Sequence, residues 1–401
     1  MKKSTAQLGA MAMAVATVVA ACGSSSSSTK AASTAGGSSA STAGNSSATT
    51  AAPTGNSSGA PIKIAVIAPF SGGEGYLGTP TLNGIQMALK TVGGTVAGRQ
   101  VQVVKYDDQC TPTNAVQIVR RIQQDSSVTA VFGPICSGDM SATQQTMAAS
   151  KIVHVTNGYG ANLTSSGDKY IFVGVDNNNQ QVAAMQPQIA KWAPKTAGII
   201  HGNDGFSTSL AETEKALLQK DGINVVYDGT IQDSATDYSG AIGGFKSSGA
   251  SLLMIGAYES TTGALIKQLR QEGVTAPVAS PNGCDPAVTQ AGGTFIDNVA
   301  FALNYCPTNP ATQSFTDSYK SAYGSTPDDA VAGAYTTALA LFKGLEASGG
   351  KGGAALRSAM IQLHYQSPLG LLSYQSDGSL ASPQIVTGVM HGGTATFSSG
   401  S

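Results

Sequence analysis

"IKIAVIAPFSGGEGYLGTPTLNGIQMALKTVGGTVAGRQVQVVKYDD" (62–108) is the stretch on which the fold turns. Its first seven residues are almost wholly apolar and β-branched, which suits a strand buried on both faces. A glycine-rich loop follows, then a helix pattern from Pro80 to Leu89 and a second β-branched run, "VQVVKY" (101–106). Pro80 fits the first turn of a helix, where a missing N–H costs nothing. Strand, helix and strand within this length form a βαβ unit, and parallel sheets are built from such units.

The rhythm continues towards the C-terminus. A helix beginning near Pro112, with Val116, Val119 and Ile122 on one face, precedes the strand "VTAVF" (128–132). Another helix, "IVHV" (152–155) and "KYIFVGV" (169–175) come next. After the polar loop "DNNNQQ" a second series starts with a helix containing Trp192. It runs through "TAGIIH" (196–201), a helix over 207–220, "INVVYDG" (223–229), a helix near 238–247, "SLLMIGA" (251–257) and a helix over 261–271. The late helices around 315–323 and 330–345, and the strands in "PLGLLSY" and "PQIVTGVM", must join one series or the other. Beyond Pro61 about 340 residues remain, more than one hydrophobic core usually organises, so two α/β lobes are expected.

Ahead of this region lie Lys2 and Lys3, an apolar run from Leu8 to Ala21, and then "CGSSSSS". A basic start followed by a short apolar run is the layout of a secretory signal, and the run is too short to span a bilayer comfortably. Val19-Ala20-Ala21-Cys22 resembles a bacterial lipobox, which implies cleavage before Cys22 and a lipid on its thiol. From Gly23 to Ala60 the chain is nearly all Ser, Ala, Thr, Gly and Asn with Lys30 as its sole charge, a composition that cannot bury enough apolar surface to fold. The 38 residues after Cys22 would act as a tether about 30 to 40 Å long. The chain carries 22 Lys and Arg against 23 Asp and Glu, a balance that makes no electrostatic case for nucleic acid or anionic lipid. Loss of the signal removes two lysines and leaves a mildly acidic protein.

Besides Cys22, four cysteines fall as two sequence-local pairs, Cys110 with Cys136 and Cys284 with Cys306, candidate disulfides compatible with export whose pairing the spacing leaves open. A metal site is not expected, since no CxxC occurs and His154, His201, His364 and His391 lie away from the cysteines. No cofactor is expected either. Nothing assembles as a catalytic constellation: HExxH and the P-loop are absent from the sequence, so the protein is not read as an enzyme. Attention goes instead to loops at the carboxyl ends of strands, where open parallel sheets bind ligands. These are "PFSGGEGYLG", "GPICSGD", "TNGYGAN" and "HGNDGFS". Ser137 and Gly138 are placed just ahead of a helix spanning Met140 to Ala149, so that their amides could hold a polar or anionic group.

In order and spacing, "IKIAVIAPFSGGEGYLG" with "NGIQMAL", "YDDQCTPTNAV", "GPICSG", "YIFVGVD", "HGNDGFS", "SPNG" and "SPLGLLSYQSDG" resemble the type I solute-binding proteins of bacterial ABC importers, in particular the branched-chain amino-acid (Leu/Ile/Val) binding branch. The likeness runs from Ile62 to about Val389. It implies two doubly wound α/β lobes joined by three hinge crossovers near Asp176, Tyr305 and Tyr374, and a disulfide between Cys110 and Cys136. The expected organisation is a signal at 1–21, a lipidated Cys22 and tether over 22–60, an N-terminal lobe of 61–175 plus about 306–373, and a C-terminal lobe of 176–305 plus about 375–398.

The resemblance also implies a ligand set of Tyr76, Leu77, Ser137, Tyr159, Gly160, Phe206, Tyr258, Glu259 and Asn282. Gly160 stands where the family has a threonine for an α-carboxylate, and Asn282 where it has the acid that pairs with an α-ammonium. Either Glu259 or Asp285 supplies that carboxylate from a neighbouring position, or the ligand is not an α-amino acid. The second reading is preferred, with Tyr76, Tyr159, Phe206 and Tyr258 lining a cleft for an amide, an aromatic acid or another carboxylate. The implied protein is a monomeric, lipid-anchored, extracytoplasmic receptor that hands a small solute to a membrane permease and binds no nucleic acid. The alternative is a surface lipoprotein in which the same clamp signals to a membrane partner, because fold does not fix function.

Overall fold

The computed structural model describes residues 59–232 and 235–398. Cys22, the signal and nearly all of the tether lie outside the described residues. The first lobe opens with β1 (Ile62–Ala68), α1 (Gly78–Thr91), β2 (Thr95–Val96) and β3 (Arg99–Asp107). It continues through α2 (Pro112–Gln124), β4 (Val128–Phe132), α3 (Ser137–Ser150), β5 (His154–Thr156) and β6 (Ile171–Val173). The sheet order is β2-β3-β1-β4-β5-β6, with every pairing parallel except the short β2–β3 ribbon. β1 is central and buried along almost its whole length, as its apolar run requires. α2 buries Ala115, Ile118, Val119 and Ile122, a stripe at helical spacing that leaves Val116 half-buried at its margin.

The chain then crosses to the second lobe, which starts with α4 (Asn178–Trp192), β7 (Thr196–His201), α5 (Gly205–Lys220), β8 (Asn224–Thr230) and α6 (Ser239–Ser248). β9 (Leu252–Gly256), α7 (Glu259–Gln271), β10 (Val278–Ala279), α8 (Pro286–Gly292) and β11 (Val299–Leu303) follow. A second crossover leads back through α9 (Gln313–Tyr323), α10 (Asp329–Ala347) and α11 (Gly353–Ile361) to the hairpin β12 (His364–Ser367) and β13 (Gly370–Ser373). A third delivers β14 (Val386–His391) and β15 (Thr394–Phe397) to the second sheet, whose order is β15-β14-β11-β10-β9-β7-β8. Its core strands are parallel and its last two antiparallel. The architecture is therefore two α/β lobes joined by three crossovers.

α10 explains why the return belongs to the first lobe. It is buried on nearly every face and packs against α1, where a Cβ on Gly84 would lie 2.5 Å from Val331 O and 2.8 Å from Ala334 Cβ. Only glycine admits that approach. The crossovers are packed as well: Tyr305 is fully buried and its hydroxyl lies 2.6 Å from Thr316 Oγ1, while Tyr374 meets Phe172 edge to face at 5.1 Å.

Cys110 and Cys136 are joined by a disulfide with their Cα atoms 5.5 Å apart. The expectation of a second disulfide is corrected. Cys284 and Cys306 stand as two buried thiols, the Cys306 sulfur turning to Cys284 O at 3.9 Å and Thr308 Oγ1 at 3.7 Å.

Candidate functional site

Each sheet reverses its strand order at a switch point, beside β1 and β4 in the first lobe and beside β7 and β9 in the second. The carboxyl ends of strands at such points open the crevice where α/β sheets take ligands. Here the two crevices face each other and enclose a cavity of about 40 Å³. The first lobe contributes Leu77, Ile135, Cys136, Ser137, Asn157, Gly158 and Tyr159, with Asp329 and Ala330 from the start of α10; the second contributes Phe206, Tyr258 and Glu259.

Ser137 is the first residue of α3, not a residue ahead of it, because Cys136 with extended φ and ψ ends the loop. The Ser137 side chain thereby sits at the positive end of the helix, and its Oγ accepts from the Gly160 N–H at 3.0 Å. The Tyr159 hydroxyl lies 3.0 Å from Asp329 Oδ2 and 3.1 Å from Asn304 Oδ1. In the second lobe Phe206 and Tyr258 form a tilted pair with centroids 5.0 Å apart, brought together because both sit at helix starts directly after parallel strands. Asp204 caps α5, its Oδ1 accepting from the Phe206 and Ser207 N–H groups at 2.7 and 3.1 Å. Glu259 opens α7, and the Tyr76 hydroxyl donates to its Oε2 across the lobes at 2.9 Å.

Burial raises the Glu259 carboxyl above its ordinary value, and Asp329 adds to the effect. Asp329 is raised by its own burial and then by Asp328. Among the described residues lining the cavity, these two are carboxylic acids and none is Lys, Arg or His. Asp176, at the first crossover, is pushed up to about 7 by full burial.

Of the residues expected from the sequence, Leu77, Ser137, Tyr159, Phe206, Tyr258 and Glu259 meet at the cavity. Three do not line it. Tyr76 stands at the rim, its ring exposed and its hydroxyl committed to Glu259. Gly160 lines a larger outer recess of about 310 Å³ together with Asn162, Asn203 and Thr208. Asn282 is buried behind the wall, where its Nδ2 donates to Ala257 O at 3.0 Å and its Oδ1 is 2.9 Å from Ser280 Oγ. Asp285 also stays out: its Oδ1 caps α8 through the Ala287 N–H at 2.7 Å and its Oδ2 accepts from the Asp329 N–H at 3.1 Å. Asn157 and Asp329 were not foreseen. "DD" ahead of an apolar helix reads as a capping pattern, and Asp328 does cap, accepting from the Val331 N–H at 2.8 Å; that frees Asp329 for the cavity.

The cleft is shut by glycine on glycine. A Cβ on Gly205 at the start of α5 would fall 2.7 Å from Gly138 Cα at the start of α3, so the two helix ends abut backbone to backbone. The Ala161 N–H donates to Ser209 Oγ at 3.3 Å beside them. Among the described residues no group of three His, Cys, Asp or Glu could hold a metal ion.

Comparison with known proteins gives a consistent placement. The periplasmic binding protein family matches residues 61–393. The leucine-, isoleucine-, valine-, threonine- and alanine-binding protein of Pseudomonas aeruginosa is 25% identical over 326 residues, 80% of this chain and 87% of that one. The Leu/Ile/Val-binding protein homolog 3 of Brucella melitensis is 27% identical over 339 residues, 81% of this chain and 90% of its own. Among solved structures, a leucine-binding protein from Thermotoga maritima superposes with a TM-score of 0.76 at 23% identity, over 84% of this chain and 98% of that one. A solute-binding protein of an ABC transporter from R. palustris, in complex with benzoate, has a TM-score of 0.76 at 21% identity, over 84% and 95%.

Proposed function

The chain belongs to the periplasmic binding protein family, and from that premise we propose that it is a lipid-anchored, monomeric receptor that captures a small organic solute between its lobes and delivers it to a membrane permease. Its family is one of binding proteins, not enzymes, and service to an ABC transporter is part of the proposal, supported by similar folds among such components. The observation that carries the reading is the enclosed cavity where the carboxyl ends of both sheets meet, walled by side chains from both lobes.

Capture needs no bond chemistry. The first lobe offers Ser137 and the start of α3, and the second closes with Phe206, Tyr258 and Glu259. A solute that touches both walls stabilises the closed form because it binds that form better than the open one. The permease then recognises the closed shape. Cys22 would hold the receptor at the membrane, and the Ser-rich segment would let it turn.

The test is a thermal-shift and calorimetric screen of the purified protein against amino acids, amides and aromatic acids. A true ligand at a hundred times its Kd adds about 2.7 kcal/mol of stability, with one solute bound per chain. Absence of stabilisation by every small solute in the screen would leave a clamp without a cargo and would sink the reading. Delivery is tested separately, by co-purification with a permease.

A further inference from the structure

We propose that the hinge carries a site of its own, a water-sized cavity in which Asp176 holds one small monovalent cation. It lies apart from the solute cavity and does not rest on the capture reading.

All three crossovers wall this cavity, whose volume is about 20 Å³. The first gives Gly174 and Asp176, the second Asn304 and the third Gln384, with Thr336 of α10 and several leucines completing the wall. Such a volume takes one water-sized particle. Asp176 has none of its surface exposed, and neither of its carboxylate oxygens has a hydrogen-bond partner. Gln181 and the Asp176 N–H lie near enough to ease the charge, yet neither completes a hydrogen bond to it.

The titratable neighbours bring no relief. Asp329, on α10, is a second carboxylate, and the Tyr159 phenol is neutral. Among the described residues that line the hinge cavity none is Lys, Arg or His. A buried carboxylate without a counter-charge is costly, so it must take up either a proton or a cation.

The wall favours the cation. The Thr336 hydroxyl donates among Gly174 O, Ala332 O and Gly333 O, at 3.2, 3.1 and 3.0 Å, so towards the cavity it can only accept. Asn304 Oδ1 accepts from the Tyr159 hydroxyl at 3.1 Å, and it and Gly174 O each keep a second lone pair. A proton on Asp176 would serve one acceptor and leave the others unmet. A cation serves several at once. One carboxylate among neutral oxygens suits a single charge, whereas a calcium ion takes about six to eight oxygen ligands with several carboxylates among them.

An ion there would tie the three crossovers to one another. Its influence would reach the solute cavity through Asn304, because the Tyr159 that Asn304 holds lines that cavity.

The test is melting of the purified full-length protein at pH 8, without solute, in the chlorides of lithium, sodium, potassium and tetramethylammonium at equal ionic strength. Tetramethylammonium is too large for the cavity and sets the baseline. At least one of the three small ions should raise the melting temperature by about 2 °C or more, with the saturation of a single site. Burial lifts the Asp176 carboxyl to about 7, so at pH 5 a proton competes for the same oxygens. The half-saturating salt concentration should then rise about tenfold or more. Asp176→Asn should melt alike in all four salts. Equal melting of the parent in all four would overturn the proposal and assign the Asp176 charge to a proton. A gain that Asp176→Asn retains, or that stays undiminished at pH 5, would place the ion elsewhere and overturn it as well. Should Asp176→Asn fail to fold, Thr336→Val takes its place: it should weaken the ion severalfold, and an unchanged salt response would reject the site. None of these outcomes bears on solute capture, which the solute screen tests by itself.

Discussion

The two lobes share an α/β plan and differ in how they reach the cleft. The first is stapled at its cleft edge by the Cys110–Cys136 disulfide, directly ahead of Ser137. The second has its two cysteines as buried thiols and relies on packing, with α7 and α8 together and the antiparallel β14–β15 ribbon closing its edge. The stapled lobe brings the start of α3 and α10; the unstapled one brings aromatic rings and Glu259.

Breaking the staple should have the largest effect. Cys136→Ser removes a cross-link over 26 residues and is expected to cost roughly 3 to 4 kcal/mol on the chain-entropy model. Cys306→Ser should cost far less. Chemical denaturation of both variants checks the contrast, and equal losses would erase the distinction between the lobes.

Next comes the seam. Gly205→Ala puts a methyl group 2.7 Å from Gly138 Cα, and overpacking of this kind costs about 1 to 3 kcal/mol. Because an open cleft has no such clash, the cost should appear in ligand affinity and in a larger radius of gyration with ligand present, while the melting temperature of the empty protein stays put.

Ser137→Ala should weaken binding by about 1 to 2 kcal/mol, since it strips the Gly160 N–H of its acceptor and takes a polar group from the wall. Titration calorimetry measures this, and unchanged affinity would remove Ser137 from the site.

The smallest effect sharpens the picture of the stapled lobe. Asp139, in the first turn of α3, is buried against Asp108, and its carboxyl is raised first by burial and then by that neighbour. A carboxyl raised on folding contributes stability below its unfolded value and loses it as pH climbs through the folded one. Asp139→Asn is therefore expected to gain on the order of 1 kcal/mol over the parent at pH 8 and nothing at pH 3, below the unfolded value. Melting curves at the two pH values would show the gain or its absence.

Much of this fold was legible because its signals are local. "IKIAVIA" could be buried only as a central strand, and the alternation that followed it left little choice but parallel sheets. Ser137 and Phe206 were legible because they lie in loops after strands, where such sheets bind ligands, whereas Tyr258 came from the family resemblance alone; all three line the cavity. Asn282 misled because a position within a loop does not state a direction; the side chain turns inward to Ala257 O. The same limit hid Asn157.

The amino-acid sequence by itself determined the alternating elements, the two-lobe division implied by their number, and the loops from which a site could be drawn. Only the tertiary structure decided which acid faces the cavity and which caps a helix. Asp328 and Asp329 are neighbours of one chemical kind, yet one is spent on a backbone N–H and the other meets Glu259 from the opposite lobe. The physical reason is that hydrogen-bond satisfaction and charge burial depend on what comes near in space. Glu259 and Asp329 share a cavity because the starts of α7 and α10 meet there.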